Sequence, residues 1–393
     1  MLITTPKITR EEKDMTKSAL QREPRSSGFE LLRIIAMLMI VLHHHILHNQ
    51  FNPVGTGWSL KQLAYVFMVP GGKIGVVIFF GISAWFLCES RSPTVKSSLK
   101  RIWILEREVL FYSIGLMTFY CIYNREKISL RGVIVTLFPV TRDTWWYITS
   151  YVLFLLFYPF INESLHKLGR SMHGKLCLVI AVIWLVVYGL LPGPYFDFEY
   201  TNFLAFIYLY ILIAYYRWYM TDFSSAVGWL LIALGTLIFG AASIACDFLY
   251  YKTGASFYQS QIGYLGGDCK LPTIIIGFGA LIIASHQHFV SAAINYIAGS
   301  TLAVYLIHDY PTTRTLLASV FNIAKFYDSG WAVLLSVGIA LLIFLACICI
   351  DIPRRAIWRV RLDKQPGKLF EVAYTQLEKV GRRLKPAFTR FIR

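Results

Sequence analysis

Charged residues are scarce along this chain. Only 15% of its 393 residues are Asp, Glu, Lys or Arg, against 56% hydrophobic ones, too little polar surface to cover a soluble globule of this size. Familiar signatures are missing as well. There is no P-loop, no GxGxxG, no CxxC and no internal repeat, so nucleotide triphosphatases, Rossmann dehydrogenases and metal centres have nothing to stand on. Acidic residues are the rarest charges, 22 against 38 basic ones, for a formal net charge of +16. Residues 353–393 alone hold 12 Lys/Arg against 3 Asp/Glu, so over half of the excess sits in one terminal segment. That placement reads as a membrane topology signal and a membrane-surface tail, not as a nucleic-acid partner.

What is abundant is apolar sequence, with a mean hydropathy of +0.55. Runs of about 17 to 25 residues, long enough to cross a bilayer, recur near 29–48, 72–90, 102–122, 145–162, 176–192, 201–216, 227–245, 271–286, 291–308 and 331–352. The expected fold is an all-α integral membrane bundle of about ten transmembrane helices. Lys/Arg-rich segments at 91–101, 163–175 and the tail place both termini in the cytoplasm; the basic segment 123–132 runs against that rule. Residues 1–28 form a charged cytoplasmic leader expected to be disordered, 29–352 the membrane domain and 353–393 the basic cytoplasmic tail. No small-residue cleavage site follows the first run, which should stay as an uncleaved helix. Of seven cysteines, Cys246 and Cys269 fall in the longest expected outer loop, 246–270, and are candidates for a disulfide.

The first run, LLRIIAMLMIVLHHHILH at 31–48, carries an arginine near one end and four histidines at the other. Arg33 and His44 are eleven residues apart, which returns to within roughly 20° of the same helix face, about 16 Å along the axis. His48 lies near that face; His43 and His45 point elsewhere. Ionisable groups inside a span are costly unless they meet a partner or a watery cavity, so a pair on one face marks a functional path. The plainer alternative is a snorkelling arginine and interfacial histidines.

At these residues the chain resembles the membrane acyltransferase family 3, whose first span carries an arginine, ten residues and a histidine. IGVVIFFGISAWFL at 74–87, WWYITSYVLFLLFYPFIN at 145–162 and STLAVYLIHDYPTTR at 300–314 are similar to its further span motifs. Departures are Val76, Val77 and Ala84 in the second motif, and a third span, 99–112, without the family's proline. The resemblance is closest to the surface-polysaccharide branch. It implies an O-acyltransferase of the bacterial cytoplasmic membrane that moves an acyl group, usually acetyl, from cytoplasmic acetyl-CoA to a carbohydrate hydroxyl outside. The acceptor would be a surface or capsular polysaccharide or its lipid-linked precursor, and no cofactor is bound permanently. His44 would be general base or acyl carrier, and Arg33 would hold the CoA end of the donor.

Other residues join this reading with plainer alternatives beside them. His308 and Asp309 are candidates for support of His44 or contact with the acceptor, or else cap a helix before Pro311. Arg314 is a surface charge unless it folds back toward them. Trp146 could stack on sugar, although it and Trp145 also suit an interfacial aromatic belt. Arg101 and Arg107 are candidate donor contacts, with Arg107 equally able to pair with Glu106 or Glu108. His286 and His288 read as solvated. In the loop 246–270, aromatics with Asp247 and Asp268 suit either a carbohydrate or the membrane interface. The rival functions are a transporter of a small polar solute and a polysaccharide polymerase or flippase.

Overall fold

The computed structural model describes residues 26–49, 51, 58–90, 93–124, 129–191, 203–361 and 367–391. The leader residues 1–25, expected to be disordered, lie outside that set. The described residues are helical with short connections. In chain order the helices are α1 (Ser27–Leu47), α2 (Leu60–Met68), α3 (Pro70–Leu87), α4 (Val95–Tyr123), α5 (Leu130–Leu137), α6 (Trp146–Ile180), α7 (Leu204–Tyr219) and α8 (Ser225–Thr253). There follow α9 (Ser256–Gln261), α10 (Leu271–Ser285), α11 (Ala292–Ala298), α12 (Thr301–His308), α13 (Pro311–Val320), α14 (Ala332–Arg361) and α15 (Lys368–Phe391).

Local chemistry starts these elements where expected. The Ser59 hydroxyl accepts from the Gln62 N–H, Thr94 and Ser97 form a capping box, and Pro70, Pro272 and Pro311 stand at first helical positions. Among the described residues, six helices are long and apolar enough to cross a membrane: Ser27–Leu47, Leu60–Leu87, Trp146–Tyr188, Ser225–Thr253, Ser256–Ser285 and Ala332–Val360; Leu204–Tyr219 and Ala292–His308 are apolar but shorter. The protein is thus a multi-pass membrane protein. About ten full spans were expected from apolar length, and helix continuity differs in two places.

The first is 163–175, expected as a loop. It is helical within α6 and broken only at Gly169, whose φ of 67° and ψ of 175° lie outside helical space. A Glu163–Lys167 pair at 2.6 Å and a buried His173, bonded to the Ile211 carbonyl, hold its two halves. The second is the loop expected over 246–270. Here α8 continues to Thr253, and Asp247 is buried against the Gln62 amide at 3.0 Å, not offered to solvent. Cys246 therefore sits on a helix, Cys269 is buried, and both are free thiols. Asp268 is held by Lys73 at 2.8 Å.

The tail boundary is also continuous. α14 carries Pro353 inside it, and Arg354, only 6% exposed, bonds Asp351 at 2.6 Å and Glu108 at 3.0 Å. α15 then lies against the start of α4, where hydrogen bonds from Lys96 and Lys100 hold the Glu371 carboxylate below its ordinary range.

Helix α1 is central, in contact with α3, α10, α11, α12 and α14. Its approach to α3 is close because α3 presents glycines: a Cβ at Gly75 would fall 2.8 Å from the Ala36 carbonyl oxygen, and one at Gly72 would overlap the His43 ring. Phe80 on the other side of α3 stacks on Phe206 at 4.4 Å and 9°. Gly72→Ala should displace His43 and cost about 1–3 kcal/mol by overpacking, seen as a lowered thermal midpoint in detergent. Gly115→Ala, where an added methyl meets nothing within 4 Å, should leave the midpoint unchanged or slightly raised.

Candidate active site

His44 stands in the last turn of α1 and His48 caps its end, one turn on. Helix α12 ends beside them at His308, with Asp309 as its cap. Pro311 then opens α13, and this sharp restart brings Arg314 back over the preceding residues. The side chains meet as one network. His44 Nδ1 lies 2.9 Å from His308 Nε2 and 3.2 Å from Asp309 Oδ1. Arg314 grips both oxygens of Asp309, Nε to Oδ1 and Nη2 to Oδ2, each at 2.8 Å. His48 Nε2 stands off at 3.6 Å from Asp309 Oδ1. Asp309 itself is fully buried.

The proton positions follow from one fixed point. His308 Nδ1 is 2.6 Å from the Val304 carbonyl oxygen, which can only accept, so His308 donates there. A neutral His308 then presents an unprotonated Nε2, to which His44 donates from Nδ1. The remaining lone pair of His44 is on Nε2. This is the tautomer a general base needs, held by a second imidazole with a carboxylate beside it.

A cavity of about 150 Å³ opens on His44, lined also by Phe79, Trp146, Tyr147, Tyr305, Lys73 and His48. The structure therefore brings His44, His48, His308, Asp309, Arg314 and Trp146 to one place. Arg314 is not a free surface charge. Trp145 is not a belt residue, being 1% exposed with its indole N–H donated to the Leu306 carbonyl at 3.2 Å, which ties the start of α6 to α12. Among the polar residues of the cavity, the sequence pattern does not single out His43, Lys73, Tyr147 or Tyr305. His43, expected to point elsewhere, lines the cavity and meets the Val69 carbonyl at 2.5 Å. Lys73, in PGGKIG, was unremarked, although a lone cation near the start of an apolar run is a signal of the same kind as Arg33.

Nδ1 or Nε2 of His44 and His48 and an oxygen of Asp309 lie within 4.8 Å of one another, a spacing that a metal ion could bridge. The guanidinium of Arg314 already occupies both Asp309 oxygens. A dication there would meet the positive charge of the guanidinium already paired with that carboxylate, so these groups do not form a ready metal site.

Arg33 lies at the opposite end of α1. It pairs with Glu30, one turn earlier, at 2.7 Å, and lines a second cavity of about 780 Å³ with Trp85, Phe86, Glu89, Arg217 and Asp222, rimmed by His286 and His288. The two cavities approach each other along α1: the first reaches Met37, four residues past Arg33, or about 6 Å along the axis. Arg101 and Arg107 line neither. Arg101 is on the exposed start of α4, and Arg107 lies over the Trp358 ring at 5.4 Å.

A family model described as an acyltransferase domain covers residues 26–351; no curated protein and no solved structure matches.

The Arg314–Asp309 fork makes a stability prediction. Arg314→Gln leaves a fully buried carboxylate without its strongest partner and should cost about 3–5 kcal/mol. Arg314→Lys, which keeps the charge and loses the fork, should fall between. Thermal unfolding of the detergent-solubilised variants checks this; a surface arginine would change the midpoint by almost nothing.

Proposed function

Because the chain belongs to the acyltransferase-domain family and is a membrane acyltransferase, we propose that it moves an acetyl group from cytoplasmic acetyl-CoA to a carbohydrate hydroxyl on the outer side of a bacterial cytoplasmic membrane. The acceptor is a surface polysaccharide or its lipid-linked precursor. The observation that carries this reading is the 2.9 Å contact of His44 Nδ1 with His308 Nε2, which leaves the free lone pair on Nε2 of a side chain that lines the cavity.

In the reaction, a sugar hydroxyl enters the smaller cavity and gives its proton to His44 Nε2 as its oxygen attacks the thioester carbonyl carbon. The imidazolium that forms is stabilised by the Asp309 carboxylate, 3.2 Å from Nδ1. Collapse of the tetrahedral intermediate breaks the carbon–sulfur bond. The departing CoA thiolate takes the proton back from His44 Nε2, so the new ester and free CoA leave a neutral imidazole. Trp146 and Tyr147 on the cavity wall offer aromatic faces to a pyranose ring.

The donor approaches from the other end. Its phosphates stay in the Arg33 cavity, where cations pair with them, and its pantetheine arm passes Met37 to bring the thioester to His44. This use of one helix for both ends gives the Arg33–His44 spacing a chemical reason.

His44→Ala should remove a general base and lower turnover by about 10²- to 10⁴-fold while the protein remains inserted and folded. Mass spectrometry of surface glycans from cells carrying the wild-type gene, no gene or the His44→Ala gene reads this directly. The prediction is a loss of one acetyl unit from the glycan in the last two. Equal acetylation in all three overturns the reading.

A further inference from the structure

Arg33 is the cation that the sequence singles out at the inner cavity, but its charge is already taken up, since Glu30 holds it at 2.7 Å. Arg217 is different. It stands in the last turn of α7, 23% exposed, and lines the same cavity. Its guanidinium lies 4.6 Å from the centre of the Trp85 ring, itself 4% exposed, so the group is fixed by a cation–π contact. Its contact with the Glu89 carboxylate is loose: Nη2 is 3.5 Å from Glu89 Oε1, and Glu89 is 57% exposed. Its Nε is buried and meets no acceptor among the described residues. A guanidinium held over an aromatic ring on the wall of a cavity, bound among the described residues to a carboxylate only through one long contact, fits a phosphate, whose oxygens take two N–H groups side by side.

The neighbours extend the match. Phe86 continues the aromatic wall next to Trp85, His286 and His288 add imidazoles at the rim, and the cavity of about 780 Å³ falls within the roughly 300–1,000 Å³ of small-molecule sites. We propose that Arg217, seated on Trp85, is the principal phosphate anchor for the nucleotide end of the acyl-CoA donor, and that Glu89 is a displaceable carboxylate that occupies Arg217 until the donor arrives. Arg33, fixed by Glu30, has the lesser part in phosphate binding. The inference rests on the acyl-CoA reading given above.

The roles of the two residues have opposite signs, which makes the test direct. CoA, 3′-dephospho-CoA and pantetheine are titrated by calorimetry into full-length, detergent-solubilised wild-type protein and into Arg217→Gln, Arg217→Lys and Glu89→Gln. Arg217→Gln should weaken CoA binding by about tenfold or more, as expected for a lost charge-assisted hydrogen bond, with Arg217→Lys restoring part of it. Glu89→Gln should tighten CoA binding by several-fold, because a competing carboxylate is gone; Glu89 is exposed enough that the change leaves the fold intact. Pantetheine, which lacks the phosphoadenosine, should respond to neither substitution. If wild type binds CoA while Arg217→Gln binds it equally well, or if Glu89→Gln weakens binding, the assignment of Arg217 and Glu89 falls and the acyl-CoA reading stands. If wild type binds no CoA, both fall.

Discussion

Asp309 is a carboxylate with no exposed surface, placed where three other side chains approach it. Burying such a charge is costly unless its oxygens are fully paired. Arg314 supplies the pairing with two hydrogen bonds of 2.8 Å, and His44 and His48 approach the Oδ1 atom from α1. The sharp turn at Tyr310–Pro311 lets Arg314 return, and Trp145, bonded to Leu306, holds α12 in position. Remove the carboxylate and α1, α12 and α13 lose their common electrostatic partner. The orientation of His44 therefore depends on a charge that touches no substrate cavity itself.

Helix α1 joins this network to a second one. At one end His44 is oriented by α12; at the other Arg33 is oriented by Glu30. Between them the helix is apolar and packed tightly on α3 through glycines, so the two ends are held at fixed separation. A rigid strut with a polar device at each end suits a reaction whose two substrates enter from opposite sides. It also suits a donor with an anionic head and a long neutral arm, since only the arm has to pass the apolar middle.

Much of this was legible in the sequence, and what was not has physical causes. The Arg33–His44 register follows from helical geometry alone, and the apolar runs fall on helices, although helix also continues through 163–175 and to Thr253 where loops were expected. Chain-distant pairings were invisible: Lys73 with Asp268, and Gln62 with Asp247, 185 residues apart, turn apparent loop polarity into paired contacts, the second of them buried. Arg314 and Asp309 are five residues apart, and whether they meet depends on the turn at Pro311, which a residue pattern does not specify. Trp145 and Trp146 look alike as a pair, yet helical phase sends one into the core and the other to the cavity. Nothing in the residue pattern separates Arg217 from any cation at the end of a span; its place over Trp85 does.

The central claim is that His308 and Asp309 act through His44. A double-mutant cycle on initial rates of acetyl transfer, using His44→Ala, Asp309→Asn and the pair, tests it most directly. The account predicts strong non-additivity: once His44 is gone, Asp309→Asn should lower the residual rate no further. Additive losses, with Asp309→Asn costing as much without His44 as with it, would contradict it.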